Sequence, residues 1–471
     1  MAKMVKFRLE RIQEYAAPVE KIWDLLANTN RLNRRIGLPP VVSGPPSLRR
    51  DGLEQEVNLR LPLGLTIRWR EHPFEWVRYQ RYRLHREPRG KLVHSFSAGL
   101  EMTPTHYGTR LSAYIEITTR RWFLPIARWT LARLVRRILR FVAESLQRNT
   151  AELPLSVAPR AQTDPKLVDR LSHFRSLGDT SRKEVSYLRL HLLESDDTEL
   201  RAMRPFALAD RWGTDRDETL SLFLRATREG LLEMDWQVLC PNCRVPKAQY
   251  RSLRDLSPRI HCDLCQITFE AELDRYIELR FSVAQQVRQT SDGQYCIGSP
   301  SGFPHILVQA NLQPGESQTV SLTLPPEPLR CRTMKSNLAI ELAPAEKASD
   351  EILFECGTKG WESTARKFKP GPAQIVITNR TDAPLTVDLE CLTWQAQAVT
   401  AAYVTCLQEF RSLFALEVLP PDKQVGIRNI TVLFSDLKSS TSLYENMGDA
   451  PAFSRVHRHF DFLGGIIEQH H

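Results

Sequence analysis

Two sets of residues in this 471-residue chain have the types and spacing for chemistry. The first is a cysteine quartet, Cys240-Pro241-Asn242-Cys243 and Cys262-Asp263-Leu264-Cys265. Two C-x2-C knuckles 18 residues apart can aim four thiolates at one point and close a tetrahedral shell around Zn2+. With four thiolates and no open position, such a site is structural: it contributes folding energy and no Lewis-acid chemistry. His261 stands beside Cys262 and is a ligand in principle, but it is expected to be a bystander.

The second set runs from Ile430 to Leu443, with Asp436 at its centre. Apolar and β-branched residues (Thr431-Val432-Leu433-Phe434) lead to one acid, then to Leu437-Lys438-Ser439-Ser440-Thr441 and an apolar-periodic segment. That order is strand, loop and helix start. A carboxylate at the carboxyl end of a strand can hold a hard divalent cation, and the following loop offers N–H groups to a polyphosphate. On spacing alone, Asp436 could equally cap the helix.

Residues 429–471, with Thr431 to Leu437, Ser440-Thr441, Tyr444-Glu445, Gly448-Asp449-Ala450 and His459-Phe460, resemble the opening of a class III adenylate/guanylate cyclase catalytic domain. The resemblance implies that Asp436 and the carbonyl of Leu437 would bind Mg2+ or Mn2+. It also implies that Lys438, Ser439, Ser440 and Thr441 would receive the triphosphate of ATP or GTP, and that the domain would act as a homodimer. Ser439 departs from the pattern, standing where these cyclases have glycine, and its side chain could crowd the approach to phosphate. The family pattern continues with a second metal aspartate and an Asn/Arg pair that have no counterpart among these residues. The expectation is therefore a regulatory region with a truncated catalytic domain, inactive by itself.

Composition fits a cytoplasmic, multidomain protein: 42% hydrophobic and 25% charged residues over a length too great for one core. Every long apolar run is interrupted by Arg or Pro, so no signal peptide or transmembrane segment is expected. The net charge of +9 is uneven: residues 1–160 hold 29 Lys+Arg and 14 Asp+Glu, or +15, leaving 35 and 41, or −6. A basic first domain suits anionic surfaces but equally a solvated basic face. Cys296, Cys331, Cys356, Cys391 and Cys406 are scattered and odd in number, as expected of small core hydrophobes in a reducing compartment.

In chain order, residues 1–150 read as strand, helix, alternating strands and a long helix over 124–146, with Leu131, Leu134, Val135, Ile138, Val142 and Leu146 as its apolar stripe. With Ala16-Ala17-Pro18-Val19-Glu20-Lys21-Ile22-Trp23, this order resembles the START-like helix-grip fold. The resemblance implies a pocket for a lipid or other hydrophobic small molecule. The long helix also carries Trp122, Phe123, Trp129 and several Arg, a composition for membrane interfaces, although packing on its own sheet is the expectation.

After a Pro-rich linker, residues 165–235 read as helices at 169–174, 183–193, 205–212 and 215–229, a winged-helix-like unit. Its Arg residues are mixed with Asp and Glu, so nucleic-acid binding ranks last among the readings. The zinc ribbon spans 236–272. Short alternating strands over 273–395 suggest a β-sandwich-like domain, and 396–428 a coupling helix and linker. In that β-domain, Tyr295 to Pro300 with His305 is a candidate functional loop, or more simply a buried histidine bonded to backbone.

The expected fold class is therefore α+β multidomain: START-like domain, helical unit with zinc ribbon, β-sandwich-like domain and the start of an α/β class III cyclase domain. The arrangement of 165–471 resembles the regulatory region of certain bacterial class III cyclases. The alternative reading is a ligand-binding sensor or scaffold with a START-like pocket and a vestigial cyclase output.

Overall fold

The structure is a computed structural model that describes residues 4–43, 47–49, 52–60, 66–148, 165–176, 182–195, 197–262, 267–290, 295–296, 299–334, 339–363, 366–415, 417 and 440–469. The chain forms two compact units, Met1–Gly426 and Ile427–His471. It is mixed α and β, with large sheets.

The first strand, Met4–Tyr15, pairs antiparallel along its length with Gly108–Arg120, which continues through Val93–Thr105 to Arg81–Pro88. Alternation puts Leu111, Ala113, Ile115 and Ile117 on one buried face. Onto that face fold helices Val19–Ala27 and Thr29–Arg35 and the closing helix Leu124–Arg148. The closing helix buries Ala127, Leu131, Val135, Leu139 and Val142, one stripe at helical spacing, while Trp122, Ile126 and Trp129 stay exposed. Packing on its own sheet is thus what its inner face does. Tyr15 fixes the helix by donating its hydroxyl to the carbonyl of Leu139 at 2.9 Å.

Residues 76–84 alternate as a single strand would, but a local turn divides them between Glu75–Val77 and Arg81–Pro88. The break is a tight reversal in which Tyr79 takes φ +64° and Gln80 N–H donates to Val77 O at 3.0 Å.

That reversal matters for the domain plan, because Glu75–Val77 also pairs with Ile306–Leu312. The sheet of the first domain thereby continues into Leu385–Cys391, Leu329–Thr333 and Ala339–Pro344, making one 14-stranded sheet across two regions that the sequence divides. A four-stranded sheet, from Ser317–Leu324, Gly371–Asn379, Glu351–Gly357 and Gly360–Ser363, shares a core with this half through Val308, Leu389, Val320 and Ile375. The strand Leu329–Thr333 is not apparent in the sequence because Arg330 and Arg332 interrupt a five-residue run.

A third core joins elements that the sequence assigns to different domains. It holds helices Pro165–Ser176, Arg182–Glu194, Pro205–Trp212 and Arg216–Arg228, and the sheet Pro246–Tyr250, Leu232–Leu239 and Ile277–Val283. Ile277–Val283 therefore belongs here and not to the β-sandwich-like domain. The coupling helix expected within 396–428 is, over the described residues 396–415, two short helices, Ala401–Cys406 and Gln408–Leu413, broken where Leu407 is extended. Val399, Ala401, Val404 and Phe410 are buried in this same core, so the segment is part of the body.

Several helix ends follow the sequence closely. Asp215 accepts from the N–H groups of Asp217 and Glu218, and Gly230 takes φ +70° just past the helix end. In the second unit, helices Ser440–Met447 and Asp449–Gln469 meet at Gly448, which has φ +77°.

Candidate functional site

Cys240 and Cys243 sit in the turn after strand Leu232–Leu239, whose backbone is closed by Arg244 N–H to Cys240 O at 2.9 Å and Cys240 N–H to Val245 O at 3.1 Å. Cys262 ends the strand Arg259–Cys262, which pairs with Ile267–Glu270 in a second hairpin. All three thiols are buried, unbridged, and within 4.8 Å of one another, with Cys243 Sγ 3.7 Å from Cys262 Sγ. A Zn–S length of about 2.3 Å gives a tetrahedral edge of about 3.8 Å. The three thiols therefore suit a zinc shell in type and spacing; Cys265, the expected fourth ligand, lies outside the described residues. His261 faces away: between buried Ile260 and Cys262 it is exposed, and its Nδ1 is 3.2 Å from Thr268 Oγ1. Alternation along the strand explains this bystander.

The first knuckle is tied to the β-rich half by a buried ionic network. Arg330 donates to the carbonyls of Pro241 (3.4 Å) and Asn242 (3.1 Å) and to Glu390 Oε1 at 2.6 Å. Arg332 lies 2.8 Å from Asp388 Oδ2 and 3.1 Å from Glu390 Oε2. Burial pushes Asp388 up to about 6, against the pull of Arg332. Burial acts the same way on Glu390, yet Arg332, His305 and Arg330 hold it well below the usual carboxylate range. His305 is buried with its Nε2 3.5 Å from Glu390 Oε2. The neighbouring loop is a clasp onto the first helices: Asn30 Oδ1 accepts from the N–H groups of Tyr295 and Cys296, and Ser299 donates to Ala27 O at 2.6 Å.

A cavity of about 70 Å³ lies between the first sheet and the closing helix. Leu32, Ile36, Phe96, Leu100, Ile115 and Val135 are among its apolar lining, and Tyr82, Arg86 and Tyr114 supply polar groups. Arg86 is held by Glu71, whose two oxygens lie 3.0 and 2.8 Å from its Nε, and it stacks over Trp69 at 5.1 Å. This pair of a buried Glu71 and a half-buried Arg86 escapes sequence reading because Arg86 lies in an otherwise ordinary alternating strand. A benzene-sized guest occupies a cavity of roughly 150 Å³. The space as it stands takes only a smaller group.

Asp436, Leu437, Lys438 and Ser439 lie outside the described residues, while Ser440 and Thr441 open the helix Ser440–Met447.

A family model described as a family of unknown function (DUF5939) matches residues 168–294. This stretch falls largely within the third core, helical unit and knuckles together. No curated protein matches the chain. Among solved structures, the di-domain aromatase/cyclase StfQ of the steffimycin biosynthetic pathway is 19% identical at a TM-score of 0.24, covering 31% of this chain and 53% of its own. The chain thus spans about half the length of that relative. The Zhui aromatase/cyclase of Streptomyces sp. R1128 is 13% identical at 0.24, covering 32% and 98%. An uncharacterised protein of Rhizobium leguminosarum is 10% identical at 0.25, covering 31% and 99%. Among the described residues, no helix is long and apolar enough to cross a membrane.

Proposed function

We propose that this chain is the regulatory region of a class III nucleotidyl cyclase together with the opening of its catalytic domain. The complete protein would convert ATP or GTP to a cyclic nucleotide and pyrophosphate. The observation that carries the reading is the helix beginning at Ser440, directly after Asp436-Leu437-Lys438-Ser439, in a unit that separates from the body at 426/427. A helix start at that point supports the strand, loop and helix order that the resemblance requires. Its N-terminal N–H groups are suited to a polyphosphate.

In this reading Asp436 and the Leu437 carbonyl hold Mg2+ or Mn2+, and Lys438 to Thr441 meet the triphosphate. Metal would neutralise charge on the α-phosphate as the ribose 3′-oxygen attacks. The body would be the sensor, its knuckles stabilised by Zn2+ at Cys240, Cys243, Cys262 and Cys265.

The test is cyclic nucleotide formation by the product of the complete reading frame, supplied with ATP or GTP and Mn2+. Activity in the wild type and its loss in Asp436→Asn is expected. Wild-type protein that is folded yet forms no cyclic nucleotide from either substrate overturns the reading.

The cavity favours a second reading, in which the output is vestigial and the first domain binds a small hydrophobic molecule. A thermal shift with small aromatic or short aliphatic compounds, without any nucleotide turnover, is the outcome that would favour it.

A further inference from the structure

The first sheet carries a second group of metal-ligating side chains, on strands separate from the thiolates and on the face opposite the cavity. In the strand Arg81–Pro88, Leu84 and Arg86 line the cavity, so His85 and Glu87 share the other face. Ser97 is the direct cross-strand neighbour of His85. His72, just past strand Thr66–Glu71, is brought alongside by its N–H donating to His85 O at 3.1 Å. His72 Nε2 is then 3.3 Å and His85 Nε2 3.8 Å from the same oxygen, Glu87 Oε1. The ligand atoms of all three residues fall within 4.8 Å of one another.

We propose that His72, His85 and Glu87 form a binding site for a borderline divalent transition metal such as Zn2+, Co2+ or Ni2+. Metal–ligand lengths of about 2.0–2.2 Å put neighbouring ligand atoms of a tetrahedral shell about 3.3–3.6 Å apart. The two separations from Glu87 Oε1 are close to that span without rearrangement. Two imidazoles with one carboxylate select these metals over Mg2+ and Ca2+, which prefer oxygen donors.

The surroundings fit a metal better than a simple ion pair. Arg70 Nη1 lies 3.4 Å from Glu87 Oε2, so the carboxylate already has a cationic neighbour. Two imidazoles nevertheless converge on its other oxygen, with ring centroids 5.0 Å apart. His85 Nδ1 meets Ser97 Oγ at 2.8 Å; with Nδ1–H donating there, the Nε2 lone pair is left for the metal. The side chains of His72, His85 and Glu87 are 24%, 37% and 44% exposed, so the cluster lies near the surface, although His72 Nε2 itself is shielded from solvent.

The experiment is titration of the full chain with Zn2+ against a chromophoric chelator at pH 7.5, repeated with Co2+ to separate the sites by spectrum. A thiolate site gives sulfur-to-cobalt charge-transfer absorption and an imidazole–carboxylate site does not. Wild type is expected to show a binding class without that absorption. Affinity for this class should fall at least about tenfold in His72→Asn, His85→Ala and Glu87→Gln. Cys243→Ser should leave it in place. His72→Asn, at a partly exposed loop position, keeps the comparison valid should His85→Ala fail to fold. Wild type lacking this class, or a class of unchanged affinity in folded His72→Asn and Glu87→Gln, overturns the proposal.

Discussion

Cys243 Sγ lies 3.7 Å from Cys262 Sγ, each on a different hairpin, too far for a disulfide and at the edge length of a zinc–thiolate tetrahedron. If zinc joins the hairpins, Cys243→Ser should lower stability by on the order of 3–5 kcal/mol. Chelation of the wild type should lower Tm in the same direction, and zinc should restore it. Denaturation with and without chelator checks this; a wild type indifferent to chelation counts against the centre.

Arg332 and Asp388 make the most deeply buried ion pair described, with side-chain exposures of 1% and 0%. Removing one member leaves a charge out of water, at a cost of roughly 3–5 kcal/mol. Arg332→Met should lose stability in that range by urea denaturation. Adding Asp388→Asn and Glu390→Gln should recover part of it, because the orphaned carboxylates are then gone.

His191 is buried, with Nδ1 2.8 Å from Ser195 Oγ, and desolvation pushes its pKa down to about 4. The unfolded chain therefore takes up a proton below about pH 6.5 that the folded chain refuses. Its contribution to stability is complete above pH 6.5 and is lost as the pH falls toward 4, on the order of 3 kcal/mol. Urea midpoints at pH 7 and pH 4.5 should show a smaller acid loss in His191→Gln than in wild type.

Ala113 lines the cavity from the sheet side. Ala113→Leu should fill the space at a cost of about 1–3 kcal/mol and abolish any thermal shift by small apolar compounds. A shift that survives in the folded variant places the ligand elsewhere.

Gly108 takes φ +141°, and an added Cβ would lie 2.1 Å from Tyr15 O and 2.7 Å from Ala17 N, both backbone atoms that cannot step aside. Gly108→Ala is expected to destabilise by more than about 3 kcal/mol, readable by thermal denaturation. Gly213→Ala, at φ +63° with open space around the added atom, should cost distinctly less.

Local chemistry was legible in the chain by itself. Helices with caps and stops, such as Asp215 to Gly230, and strands with clean alternation, such as Gln318 to Leu324, depend on neighbours within a few residues. The nearness of Cys240, Cys243 and Cys262 follows spacing that the chain itself displays, because Cys240 and Cys243 share one tight turn and only Cys262 has to be brought to it. Tertiary structure alone decided which elements share a core. The sequence divides 75–77 from 306–312, and 277–283 from 205–228, because edge pairing between distant strands leaves no periodic trace. It likewise decided that His72 would lie against His85 and Glu87. Cross-strand register sets that distance, and register follows from the whole sheet.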